Sequence, residues 1–341
     1  MAATQLNPKT TSSSSSERSK KAAEATRAKH AREAVVQTVI AAFIALVFFF
    51  PIFYWFLVSI KPLQYTMQFP PVWLSTPIFD WYQVVVLGLD PNIGVKSEIV
   101  FNGAAGNYYV IPYLRNSIVI GVLSTFFAVL LSTPAAYALS RFTFKRRSNL
   151  ITWILSTRMM PPVVAIFPLY WLYTQADQKI FWAMFGQGNG VLYDALLGVL
   201  IIHIVINLPL TTLLLKSFFD DIPVDLDEAA MVDGCTRWQA FSKVIWHYAL
   251  PGLGSAAILA FIASWNEFLL TLTVTRTQFG TVPVFGSTFD VSAAGTEWGA
   301  LAAVSTTAMI PVFIFVLIVQ RNLVRGMTAG LSRGDRASPA C

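Results

Sequence analysis

Six long apolar runs, nearly free of charge, leave this chain few folds to choose from. Ala34 to Ile60 gives 27 residues without a charge, and Asn116 to Ser140 gives 25 more. As an α-helix the first would be about 40 Å long, enough to cross a hydrocarbon core of about 30 Å with some tilt. A third run goes from 149 to 175, interrupted by Arg158, and a fourth covers 195–215. The fifth covers 248–275 with Glu267 inside it, and the sixth covers 298–320. Only 12% of the residues are charged, against about 25% in a soluble domain. The sequence therefore predicts an all-α membrane protein with six transmembrane helices, and six spans put both termini on one side.

Basic residues choose the side, because short cytoplasmic loops carry an excess of Lys and Arg. The N-terminal segment holds 7, the loop RFTFKRRSN holds 4, residues 216–243 hold 3 and the segment from Arg321 holds 4. That is 18 of 24, so both termini and the loops 141–148 and 216–247 are expected in the cytoplasm. This asymmetry accounts for the net charge of +6 without a nucleic-acid partner. Residues 1–34 carry SSSSS and no apolar periodicity, and are expected to be a disordered basic tail. A signal peptide does not fit, because the run that follows is too long and lacks a small-residue cleavage site. Glu17, Glu24 and Glu33 count against a transit peptide. Residues 35–325 form the expected membrane domain, and 326–341 a cytoplasmic tail. Two cysteines make no disulfide framework, and the ending SPAC is no prenylation box.

The loop at about 219–247 is polar and acidic, yet reads as two helices. Asp220 or Asp221 can cap the first, and Pro223 suits its first turn. Asp225, Asp227 and Glu228 sit where the helix dipole favours anions, and Gly234 ends or bends the helix. Trp238, Phe241, Ile245 and Trp246 then recur at helical spacing. A plain connector has no need of two apolar-faced helices, so a docking surface for a cytoplasmic partner is expected. EAAMVDG resembles the EAA loop of ABC importer permeases, matching at Glu228, Ala229, Ala230 and Gly234, with Asp233 between them. In that family the loop forms a coupling helix seated in a cleft of the ATPase subunit, and small alanines let it sit deep. The family's Ile falls at Val244, but its Leu and Pro fall at Trp246 and His247, a departure that implies a later bend near Pro251.

The resemblance extends over about residues 35–334. SIKPLQ…FPPVWL, AAYALSRFTFKRR, FPLYWLY, SWNEFLLTL and LVRGMTAGLSRG are similar to segments of carbohydrate-importer permeases of the maltose and glycerol-phosphate type, in particular the smaller six-span subunit. The resemblance implies the ABC importer permease fold in a bacterial inner membrane, among membrane lipid, and a sugar or sugar-like solute as substrate. It implies a second permease subunit, two ATPase subunits that hold ATP and Mg, and an external solute-binding protein. This chain itself has no phosphate-binding loop, no metal-ligand spacing and no nucleophile–base constellation, so neither a cofactor nor a metal of its own is expected, nor an enzyme activity. An ion-gradient transporter is the main alternative, but no internal repeat supports it.

Charges inside spans are costly, so they mark candidate sites. Arg158 is expected near midplane, beside paired prolines that would open the helix. Glu267 lies somewhat nearer the outside. The two either brace spans three and five against each other or contact the sugar. His203 and Asn207 share a face of span four. They either line the same cavity or satisfy each other between helices. Trp265 and Asn266 could stack on and bond a sugar ring, or simply pack.

Overall fold

A computed structural model describes residues 10–66, 68–73, 75–88, 110–181, 190–276, 279–291, 295–296 and 298–329. Among the described residues its regular structure is helical, save for a two-residue antiparallel pair in which Asp290 faces Thr296 and Val291 faces Gly295. Residues 1–58 form one compact unit and 59–341 another.

The first unit is dominated by α1, Thr10–Ser59. Residues 10–34 were expected to be a disordered tail, but here they are helical and run unbroken into the first span. The reason lies in composition: KKAAEATRAKHAREA is rich in Ala, Lys, Arg and Glu, which favour helix even without an apolar face.

The second unit begins with a loop that closes through Lys61, whose Nζ donates to Val72 O at 2.6 Å. Short helix α2, Asp80–Val85, follows. Then come α3, Ile111–Arg141; α4, Arg147–Met159; α5, Pro162–Gln175; and α6, Leu196–Asp220. The cytoplasmic-loop helix is α7, Asp225–Val232, and α8 runs from Arg237 to Trp265 with a π-helical stretch at Ala240–Ile245. Short helices α9, Leu269–Val274, and α10, Val282–Gly286, precede α11, Trp298–Ala329. The domain boundary expected at 325 therefore falls inside a helix.

Five of these helices are long and apolar enough to cross a membrane, and α4 with α5 makes a sixth if counted as one broken span. The third run was expected to be a single helix, but it bends by 91° at its prolines. Met160 precedes Pro161, and Pro161 precedes Pro162, so the proline rings bar both from the helical region. Both are extended, with ψ 124° and 128°. The fifth run also differs. Its helix starts at Arg237, passes Trp246, His247 and Pro251 without a break, and stops at Trp265, short of Glu267.

Three cores hold the second unit together. Near the cytoplasmic loop, Leu215, Phe219, Phe241, Ile245 and Leu253 join α6 to α8. A second centres on Trp81, Phe285, Phe289 and Val304, and a third on Ile120, Tyr173, Val199 and Val274. Away from these cores, α3, α6 and α8 also meet through small polar side chains. Ser124 Oγ and Ser264 Oγ are 2.7 Å apart, and Thr212 Oγ1 donates to Ser132 Oγ at 3.1 Å. Hydroxyls let helices approach closely and bond across a dry interface, each worth about 0.6 kcal/mol on average in a membrane.

Candidate functional site

The acidic loop is built as two helices joined by a tight stop. Neither Asp220 nor Asp221 caps α7. Asp220 ends α6 and bonds Ser140 Oγ and Lys216, while Asp221 closes that same helix. The start of α7 is at Val224, with no side-chain cap. Its end is a Schellman motif: Gly234 N–H donates to Met231 O at 3.1 Å and Cys235 N–H to Ala230 O at 3.0 Å. Gly234 has φ +91°, a conformation that costs a β-carbon dearly. A capping box starts α8, with Thr236 Oγ1 accepting from Gln239 N–H and Gln239 Oε1 accepting from Thr236 N–H. TRWQ carries that signal in the sequence.

The loop has an inner and an outer face. Ala230, Cys235, Ala240, Phe241, Val244 and Ile245 are buried in the core shared with α6. Glu228, Ala229, Asp233 and Gly234 are exposed. So are Val232, at 86% exposure, and Trp238, at 69%. Of the two alanines expected to seat in a partner, only Ala229 points outward. Ala230 packs into the protein's own body, 3% exposed.

Residues 141 and 227 were read as topology and helix-dipole charges, but they form a buried pair instead. Arg141 Nε and Asp227 Oδ2 are 2.7 Å apart, an ion pair too oblique to count as a hydrogen bond, with side chains only 7% and 9% exposed. Tyr137 OH donates to Asp227 Oδ1 at 2.8 Å, and an Arg141 guanidinium N–H donates to Ile222 O at 2.8 Å. Tyr137 packs against Phe219 and Phe241, with ring centres 5.7 and 4.7 Å away. Arg237 sits over the Phe142 ring at 5.4 Å.

Of the six candidate substrate-path residues, His203 and Asn207 bond to the stretch 264–271 that carries Trp265, Asn266 and Glu267, whereas Arg158 joins none of them. Arg158 is exposed in the last turn of α4, just before the break, and makes no hydrogen bond or ion pair among the described residues. Glu267 does not meet it. The Glu267 carboxylate accepts Leu270 N–H at 2.9 Å, in the first turn of α9. His203 and Asn207 are fully buried. His203 Nε2 lies 2.9 Å from Thr271 Oγ1, and Asn207 Nδ2 donates to Ser264 Oγ and to His203 O, both at 2.8 Å. Trp265 is buried and stacks on Phe261 at 5.6 Å, whereas Asn266 is exposed and donates to Ile262 O. Among the described residues no cluster of three or more His, Cys, Asp or Glu could hold a metal ion.

Comparison with known proteins supplies the context. Residues 128–329 match the family described as the inner membrane component of binding-protein-dependent transport systems. The chain is 35% identical to the trehalose transport system permease protein SugB of Mycobacterium tuberculosis, over 88% of this chain and 97% of that one. It is 30% identical to the diacetylchitobiose uptake system permease protein DasC of Streptomyces coelicolor, over 87% and 95%. It is 33% identical to the trehalose/maltose transport system permease protein MalG of Thermococcus litoralis, over 75% and 91%. A bacterial ABC transporter involved in the import of the acidic polysaccharide alginate shares the fold, with TM-score 0.58 and 22% identity over 84% of this chain and 95% of its own.

Proposed function

The chain belongs to the family of inner membrane components of binding-protein-dependent transport systems, and from that premise we propose that it is the permease subunit of an ATP-driven importer for a sugar or sugar-like solute. The observation that carries this is the loop at 225–239. Its outer face presents Glu228, Ala229, Val232, Asp233 and Trp238 on a helix stopped at Gly234, while its inner face is fixed to the body. A rigid exposed knob of mixed polarity suits a cleft in a cytoplasmic ATPase subunit. ATP binding would bring two such subunits together, move the knobs and turn the cavity between two permeases outward, a two-state change biased by nucleotide. An external binding protein would deliver the solute, and ATP and Mg would be held by the ATPases alone. The named relatives transport trehalose, maltose or diacetylchitobiose, which supports a saccharide substrate. Arg158 and Asn266, the two exposed polar side chains among the path candidates, are the residues that could meet it.

The test is uptake by the complex of this chain with a second permease and two ATPases, reconstituted in vesicles with its binding protein. Sugar uptake should require ATP inside the ATPase compartment and should survive dissipation of ion gradients. Uptake by this chain alone, driven by an ion gradient, would overturn the reading.

A further inference from the structure

The loop is joined to the membrane helices covalently at both ends, to α6 through residues 221–224 and to α8, and it packs on them through the core around Phe219 and Phe241. Through α8 it continues into span five without a break. A further, polar connection is the buried group Asp227–Arg141–Tyr137, which ties α7 to the end of α3, 86 residues away in sequence. Both oxygens of Asp227 are engaged, one by Arg141 and one by Tyr137. Arg141 also holds Ile222 O, so it grips the segment on both sides of Pro223. Around it, Ser140 Oγ donates to Asp220 Oδ1 at 2.7 Å and Arg147 Nε donates to Leu139 O at 2.6 Å, which fix the end of α3 against α6 and α4. The whole group lies on the inner side of α7, opposite Glu228, Ala229 and Val232.

We infer that Asp227, Arg141 and Tyr137 form a transmission node that carries displacement of the loop helix directly into span two. The inference rests on the docking reading given above. A push on the outer face of α7 must pass somewhere. Apolar contacts resist compression, but they are non-directional and let surfaces slide. Here each member of the ion pair is also held by a hydrogen bond, Asp227 by Tyr137 OH and Arg141 by Ile222 O, and such charge-assisted bonds fix direction as well as distance in a site shielded from water. Asp227 and Arg141 are buried where a lone charge would be costly, so parting the two is penalised. These three are positioning residues: none touches solute or nucleotide.

The experiment uses the reconstituted complex and measures sugar taken up per ATP hydrolysed. Asp227→Asn and Arg141→Lys should leave the ATPases bound and hydrolysing, with uptake per ATP reduced about tenfold. Tyr137→Phe should lose about threefold. The double variant Arg141→Met with Asp227→Leu replaces the pair by apolar groups of similar volume, which restores folding where a single change has harmed it. Its uptake per ATP should stay low, because directional contact is not restored. A parental ratio in the double variant, or in Asp227→Asn, would overturn the node and leave the pair as a brace of the fold. Failure of all these variants to assemble would do the same. Glu228→Lys, on the outer face, separates the two ideas. It should lose the ATPases altogether, and if it instead couples normally, the docking reading fails whatever Asp227 does.

Discussion

At the scale of single residues, neighbours in EAAMVDG do opposite jobs. Ala230 is inside and Ala229 outside, so the same enlargement should fail in two different ways. Ala230→Leu overpacks a tight core at a cost of about 1–3 kcal/mol, and should lower the amount of protein found in the membrane. Ala229→Leu should leave that amount unchanged yet abolish copurification with the ATPase. Immunoblots of membranes and of affinity-purified complex read both. Gly234 is different again. A β-carbon there meets no atom within 4 Å, so the intramolecular cost of Gly234→Ala is backbone strain alone, about 1 kcal/mol. Loss of coupling with Gly234→Asp but not Gly234→Ala would place the added bulk against the partner. Arg158 gives a cleaner contrast. Because Glu267 is already engaged by Leu270 N–H, Arg158→Gln orphans no buried charge, and the complex should assemble at parental yield. A fall in yield rescued by Glu267→Gln would show that the two meet in another state.

At the scale of elements, the six runs were legible because lipid excludes charge, and that rule acts on composition alone. The two-helix loop was legible because caps and glycine stops are local. What escaped were pairings between distant segments. Arg141 in RFTFKRRSN reads as one more cytoplasmic charge, and nothing within several residues names Asp227 as its partner. The bend between α4 and α5 was half legible: STRMMPP announces a break, but not that two extended residues turn the chain by 91°. If the prolines impose it, Pro161→Ala with Pro162→Ala should straighten the run. Spin labels at Trp153 and Tyr170, both exposed, should then move apart. An unchanged distance would assign the bend to packing of α5 against α9 and α6 instead.

At the scale of the whole molecule, the structure sorts the loops of the second unit by end. Arg141, Asp220, Asp227 and Arg237 gather at one end of α3, α6 and α8. At the other end Asn116 Nδ2 donates to Gly280 O at 3.1 Å, Val282 N–H donates to Ser117 Oγ at 2.8 Å, and Asp194 Oδ1 accepts from Arg276 and Phe279 N–H. The loops 141–148 and 216–247, predicted cytoplasmic from their charges, therefore do share an end. Which side of the membrane that end faces rests on the excess of Lys and Arg there. Cysteines can decide it, in a chain with Cys235 and Cys341 replaced by Ser. Ser148 and Ser242 are exposed at the basic end, and Gln68 is exposed in the loop after span one. In intact cells an impermeant thiol reagent should label Gln68→Cys and spare Ser148→Cys and Ser242→Cys, and all three should label once the membrane is opened. Labelling of Ser148→Cys alone from outside would invert the protein. The loop bearing Glu228 would then face away from ATP, and no coupling through it could occur.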